Sequence, residues 1–196
     1  MADLGTRDGQ PVLAFATQDE WRAWLAANGE SADGVWLKLA RKDSGVTSIT
    51  HDGALDVALC FGWIDARAQS LDDRHWVQRF CQRRPRGTWS KVNRARAERL
   101  IDEGLMQPSG LREVERARAD GRWDAAYDAQ SVAQVPDDLA SALDADPAAR
   151  AFFESLDSRN RYAILYRIQT AKRPETRARR VAKFAAMCAG GEKIYP

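Results

Sequence analysis

The sequence predicts an α+β fold: a small antiparallel sheet with packed helices, followed by a carboxy-terminal helical region. Three observations carry that expectation. Apolar residues alternate with period two over residues 34–41, 63–71 and 75–80, as in strands with one buried face. Beyond residue 88 the spacing changes to the i, i+3, i+4 pattern of helices and stays there. Between the two regimes lies Arg83-Arg84-Pro85-Arg86-Gly87, a loop because proline offers a sheet no amide donor. Gln130 to Val135 is the best linker, so the expected domains are residues 1–129 and 136–196.

In chain order, residues 1–11 read as a loose tail, and Val12–Phe15 as a short edge strand. Thr17-Gln18-Asp19-Glu20 has capping-box spacing, in which hydroxyl and carboxylate satisfy orphan amides reciprocally. The helix it opens buries Trp21, Trp24 and Leu25, and Asn28-Gly29 stops it. Gly34–Arg41 is a strand with Val35, Leu37 and Leu39 on one side. Thr50 caps a helix to Phe61, with Gly62 as its left-handed stop. A hairpin follows, turning at Asp72-Asp73. Simple alternation puts Trp63, Asp65 and Arg67 on one face of its first strand, and Trp76, Gln78 and Phe80 on one face of its second.

Thr88 or Ser90 caps the next helix, which runs to about Glu103 with Val92, Ala95 and Leu100 inward. Pro108 opens another with Leu111 and Val114 inward, and Trp123 and Tyr127 are expected to fold back on the sheet. The remainder is helical. Pro136-Asp137-Asp138 puts acids where the helix dipole favours them, Asp146-Pro147 caps a helix with a Phe152, Phe153 and Leu156 core, and Ser158 caps the one after. On the last helix Val181, Phe184, Ala185 and Cys188 share one face, ended by Gly190-Gly191.

The composition is 44% hydrophobic and 30% charged with a net charge of +2, which suits an ordinary soluble protein with an ample core. No apolar run is long enough to span a bilayer. The start, MADLGTRDGQP, lacks the basic and apolar blocks of a signal peptide, and three scattered cysteines suggest no disulfide framework, so the expected location is cytoplasmic. The charge is uneven. Residues 83–99 hold seven Lys or Arg against one acid, Glu98, and residues 159–183 hold nine against one, Glu175. Such blocks either pair internally or present a positive face to an anion.

A metal site is not expected, since His51 and His75 have no ligands at usual spacing, and no cofactor motif is present. Cys60 sits in a core-like position, while Cys81 is followed by three arginines but has no general base at fixed spacing. Asp65 and Arg67, at i and i+2 on a strand, can share a ligand, or else pair across strands with Arg79 or Arg74. The clearest signal is Arg84 in the basic loop with Trp89, Ser90 and Asn93 at the following helix start, a donor-rich place for a small anion. The plain alternative is a solvated loop whose arginines pair with Asp72 and Asp73. The second basic block, Lys172–Lys183, is expected to pair with the acidic start of residues 137–146.

The strings ALCFGWIDARAQSLDD, QRFCQRRPRGTWSKVNRARAERL, ARADGRWDAAYDAQ and NRYAILYRIQTAKRPETRARR resemble the YdeI/OmpD-associated, bacteriocin-protection family over roughly residues 12–191. The resemblance implies a bacterial protein of antimicrobial or envelope-stress tolerance and no established catalytic residues. Cys81 stands where many members have threonine, which counts against a catalytic thiol. The leading expectation is therefore a non-enzymatic protein binding a small anionic ligand through Asp65, Arg67, Arg84, Trp89, Ser90 and Asn93. Two other readings are nucleic-acid or polyanion binding by the basic blocks, and an enzyme using Asp65 as acid or base.

Overall fold

The structure, a computed structural model, describes residues 1–196. Five strands, β1 (Ala2–Arg7), β2 (Gln10–Ala14), β3 (Val35–Ala40), β4 (Trp63–Ser70) and β5 (His75–Gln82), form one sheet in the order β1-β2-β3-β5-β4. Eight helices accompany them: α1 (Gln18–Asn28), α2 (His51–Cys60), α3 (Lys91–Asp102), α4 (Pro108–Ala119), α5 (Asp137–Asp144), α6 (Pro147–Ser155), α7 (Ser158–Gln169) and α8 (Pro174–Ala189). The α+β expectation is met, with one correction: β2 and β3 pair in parallel, so the sheet is mixed.

The chain divides into two compact units, one of residues 1–87 with 93–124, the other of residues 88–92 with 125–196. In the first unit the expected tail is a strand. Asp8 and Gly9 take φ of 50° and 74°, the positive values of a two-residue hairpin turn, and β1 pairs with β2 across it. The Asp8-Gly9 pair is the signal in the sequence that marks this turn. Because β1 covers its edge, β2 is internal and not an edge strand.

Val35, Leu37, Leu39 and Phe80 face α1 and α2, as alternation requires. Trp21 is the centre of that layer, packed against Phe15, Trp63 and Phe80, with its Nε1–H donating to the Ala54 carbonyl. Thr17 and Thr50 cap their helices as expected, accepting from the Glu20 and Gly53 amides. The Glu20 carboxylate reaches the Ala16 amide and the amino terminus. Trp24 is only half-buried. Helix α4 crosses the end of α2 so closely that a Cβ on Gly110 would lie 2.2 Å from the Cys60 carbonyl oxygen.

The other sheet face is strongly curved. In a flat sheet of this order β1 and β4 would be about 19 Å apart, four spacings of nearly 5 Å. Instead Arg7 Nη1 donates to Gln69 Oε1 at 2.8 Å and Arg67 Nη2 to Asp8 Oδ2 at 2.5 Å. The two edges therefore meet side chain to side chain over Trp36, which lies beneath both guanidiniums and is fully buried.

Two helices meet expectation in part, with Leu100 of α3 and Val114 of α4 buried as expected. In α3 Ala97 and Leu100 are buried while Val92 and Ala95 are exposed, a rotation of the inward face. In α4 Val114 and Ala117 are buried and Leu111 is half-buried.

In the second unit Leu139, Leu143, Phe153, Ile164, Ile168, Val181, Phe184 and Cys188 make one core. Asp146 caps α6 as expected, but Asp157, one residue before Ser158, caps α7 by accepting from the Asn160 amide at 2.7 Å. Tyr127 packs edge-on against Tyr166. No helix is long and apolar enough to cross a membrane.

Candidate functional site

The Asp65–Arg67 pair is the first expectation the geometry corrects. Asp65 is opposite Phe80 and Ala68 is opposite Gln78, so Ala66 and Arg67 together oppose the single residue Arg79. This bulge flips the alternation. Asp65 stays on the helix-covered face, and Arg67 emerges on the Trp36 face. The two do not share a ligand-facing side. Nor does either make the expected cross-strand pair: Asp65 Oδ2 lies 3.3 Å from His51 Nε2, and Arg67 holds Asp8. His51, at the start of α2, rests against Trp76 and Phe80. The His51–Asp65 contact has the form of a base and its orienting carboxylate, but neither residue lines any of the described clefts.

The basic loop lies wholly in the first unit. It opens where the Arg83 amide donates to the Gly62 carbonyl, and it turns where the Gly87 amide donates to the Arg84 carbonyl. Gly62, at φ 76°, makes the left-handed stop that lets the chain leave α2 for β4. Behind the loop sits Arg122, which the sequence reading missed. It is 5% exposed, gives Nη1 to the Gly87 carbonyl at 2.8 Å, and binds Asp120 through Nε at 2.7 Å. Its Nη2 is buried with no acceptor in the protein. A buried guanidinium nitrogen without an acceptor is costly, because water's hydrogen bonds have been given up for nothing.

Arg83 is also buried, whereas Arg84 and Arg86 are exposed and form no ion pair. Asp72, one expected partner, instead holds His75 and the Arg74 amide. The rest of the block is neutralised locally. Arg96 bridges Asp52 and Asp56, and Arg99 bridges Asp56 and Glu103. Beside the loop a cleft of about 370 Å³ is lined by Gln82, Arg83, Pro85, Ser109, Arg112 and Arg116. Two of its arginines have carboxylate partners, Arg112 with Glu30 and Arg116 with Glu113.

Of the other expected residues, Asn93 is half-buried on α3 in the first unit. Trp89 and Ser90 belong to the second, where Trp89 is 2% exposed and leaves almost no ring surface for stacking on a ligand. Ser90 bridges to Tyr127. In the same unit Lys91 pairs with Asp128 at 2.7 Å, which holds that carboxyl below the ordinary range, with Gln169 contributing. A cleft of about 820 Å³ opens there, with Arg177 bound to Asp138 through two contacts on its lining. Only Arg177 of the second basic block meets the acidic start of α5; Lys172, Arg173, Arg179 and Lys183 are exposed and in no ion pair.

Cys60 and Cys188 are buried, and burial pushes both thiols up, away from nucleophilic reactivity. No group of three or more His, Cys, Asp or Glu is placed to hold a metal ion.

A coiled mixed sheet under two helices and a separate helical unit define an α+β protein of two parts, and the family matches follow that division. Residues 13–113, more than half of the chain, match the family described as a domain of unknown function, DUF8412, and the chain belongs to that family. Residues 132–191 match the bacteriocin-protection, YdeI or OmpD-associated family, the one its sequence resembles. That likeness therefore rests on the helical part, while a different family describes the sheet. No curated protein and no solved structure matches the chain.

Proposed function

We propose that this protein, whose residues 132–191 match the bacteriocin-protection family, is a cytoplasmic, non-enzymatic tolerance protein that binds a small anion at the loop Arg83–Gly87. The observation that carries the reading is the Nη2 group of Arg122, a buried cationic donor lacking an acceptor directly behind a loop with two exposed, unpaired arginines. An anion seated against the loop supplies the acceptor and pairs with the exposed guanidiniums of Arg84 and Arg86. Arg84 and Arg86 capture it from solvent, and the Arg122 side chain and the Arg83 amide brace the backbone that presents them. Asn93, in the same unit, is a further candidate donor. Asp65 and Arg67 take no part in this site.

The test is thermal stabilisation across inorganic phosphate, nucleotides and small carboxylates. A ligand at one hundred times its Kd stabilises the folded state by about 2.7 kcal/mol, which in a chain of this size raises Tm by roughly 5–11 °C. The Arg84→Ala/Arg86→Ala double variant is expected to lose that shift while keeping its unliganded Tm. An undiminished shift in the variant sinks the reading.

Polyanion binding is a second reading, favoured by the exposed and unpaired Lys172, Arg173, Arg179 and Lys183 on and before α8. It requires retardation of a DNA or RNA fragment that weakens steeply between low and physiological salt. No retardation at low salt removes it.

A further inference from the structure

A cleft of about 760 Å³ in the second unit is lined by Arg167, Arg180 and Lys183 together with Phe184, Met187 and Ile194. Its construction starts from one buried residue. Asn160, 1% exposed on α7, accepts through Oδ1 from the Ile194 and Tyr195 amides and donates through Nδ2 to the Tyr195 carbonyl. Those three bonds lay the segment of Ile194 and Tyr195 along the helices and make it one wall. Tyr195 then stacks under Arg159 and Arg167, whose guanidinium carbons are 4.2 and 5.8 Å from the ring centre.

The three lining cations lack carboxylate partners. Arg167 gives its donors to the Ala163 carbonyl and the Tyr195 hydroxyl, and Arg180 donates to the Arg167 carbonyl. Lys183 is exposed and in no ion pair. Glu192 lines the same cleft and pairs with none of them. Arg96, Arg99, Arg150 and Arg177, by contrast, each hold a carboxylate. Three cations against one carboxylate, with no ion pair among them, leave a net positive potential that favours an anion. Beside the cleft, the hydrogen bond from Arg167 to the Tyr195 hydroxyl, then the charges of Arg167 and Arg159, hold that hydroxyl below the ordinary tyrosine range.

The apolar side narrows the ligand. Met187 and Ile194 are half-buried around the edge of Phe184, so they offer partial apolar surface beside the charges. Inorganic phosphate would leave that surface wet, and a neutral lipid would leave the charges unused. The size lies within the range of small-molecule pockets.

We infer that this cleft binds a small amphipathic anion, a carboxylate or phosphate head on a short alkyl or aryl body. The head meets Arg167, Arg180 and Lys183, and the body covers Met187, Ile194 and the edge of Phe184. The site is independent of the loop Arg83–Gly87, which lies in the other unit.

Calorimetric titration of the full chain, below micellar concentrations, compares octanoate and octyl phosphate with acetate, inorganic phosphate and octyl glucoside. The two octyl anions distinguish a carboxylate from a phosphate head. At least one is expected to bind ten-fold or more tighter than the tailless anions and the uncharged octyl compound. Lys183→Gln is expected to weaken that binding at least three-fold, and Met187→Ser likewise, with the urea midpoint of Lys183→Gln unchanged. Amide NMR shifts on saturation should concentrate in residues 163–195. Equal binding of inorganic phosphate, or of octyl glucoside, overturns the inference, as does binding untouched by both substitutions. Tight binding of a twelve-residue oligonucleotide with no octyl-anion binding overturns it in favour of the polyanion reading. Loss of binding in Arg84→Ala/Arg86→Ala alone would assign the ligand to the loop and also overturn it.

Discussion

Gly110→Ala tests the packing of α4 on α2 through a substitution that helix propensity alone would favour. Alanine in a helix interior is worth about 1 kcal/mol over glycine. Here the new Cβ would stand 2.2 Å from the Cys60 carbonyl oxygen and 2.8 Å from that of Leu59. A carbon–oxygen contact needs about 3.3 Å, so α4 must retreat by roughly 1 Å. Both obstacles are backbone, with no side-chain rotamer to give way. Overpacking of this kind costs about 1–3 kcal/mol, and the retreat strains the bond from the Gln107 amide to the same Cys60 oxygen, now 3.0 Å, worth about 1 kcal/mol. The net loss is about 1–3 kcal/mol, a fall in Tm of roughly 2–12 °C. Urea unfolding followed by tryptophan fluorescence reads this directly, because six of the seven tryptophans lie in the sheet unit. A variant as stable as the parent, or more so, would refute the close approach of the two helices.

Two further outcomes follow from the helical unit. Asn160→Ala removes the acceptor of the Ile194 and Tyr195 amides and should cost about 2 kcal/mol; hydrogen exchange at those two amides is expected to accelerate, and unchanged exchange would contradict the anchoring role. Arg177 holds the Asp138 carboxyl below its ordinary range chiefly through their hydrogen bonds. A depressed folded-state value contributes stability above the unfolded pKa of about 4 and loses it as pH falls through the lower, folded value. The stability difference between the parent and Arg177→Ala should therefore be present at pH 7 and shrink below pH ~4; a difference that does not change with pH would count against the pair.

The local elements of this protein were legible in its sequence because the interactions that start and stop them act over a few residues. Thr17, Thr50 and Asp146 cap helices through amides two or three positions away, and Gly62 ends α2 in the left-handed conformation. Alternation likewise revealed β3, β5 and the face shared by Val35, Leu37 and Leu39. It failed at β4, because a bulge depends on how a strand registers with its partner. One extra residue opposite Arg79 sent Arg67 to the far face and separated it from Asp65. The parallel pairing of β2 with β3 and the closing of the sheet edges over Trp36 were equally unreadable, since they join residues tens of positions apart. The basic loop stood out in sequence by its charge. Arg122 behind it, and the cations gathered around Ile194, were determined only when folding brought distant segments together and decided which charges found partners.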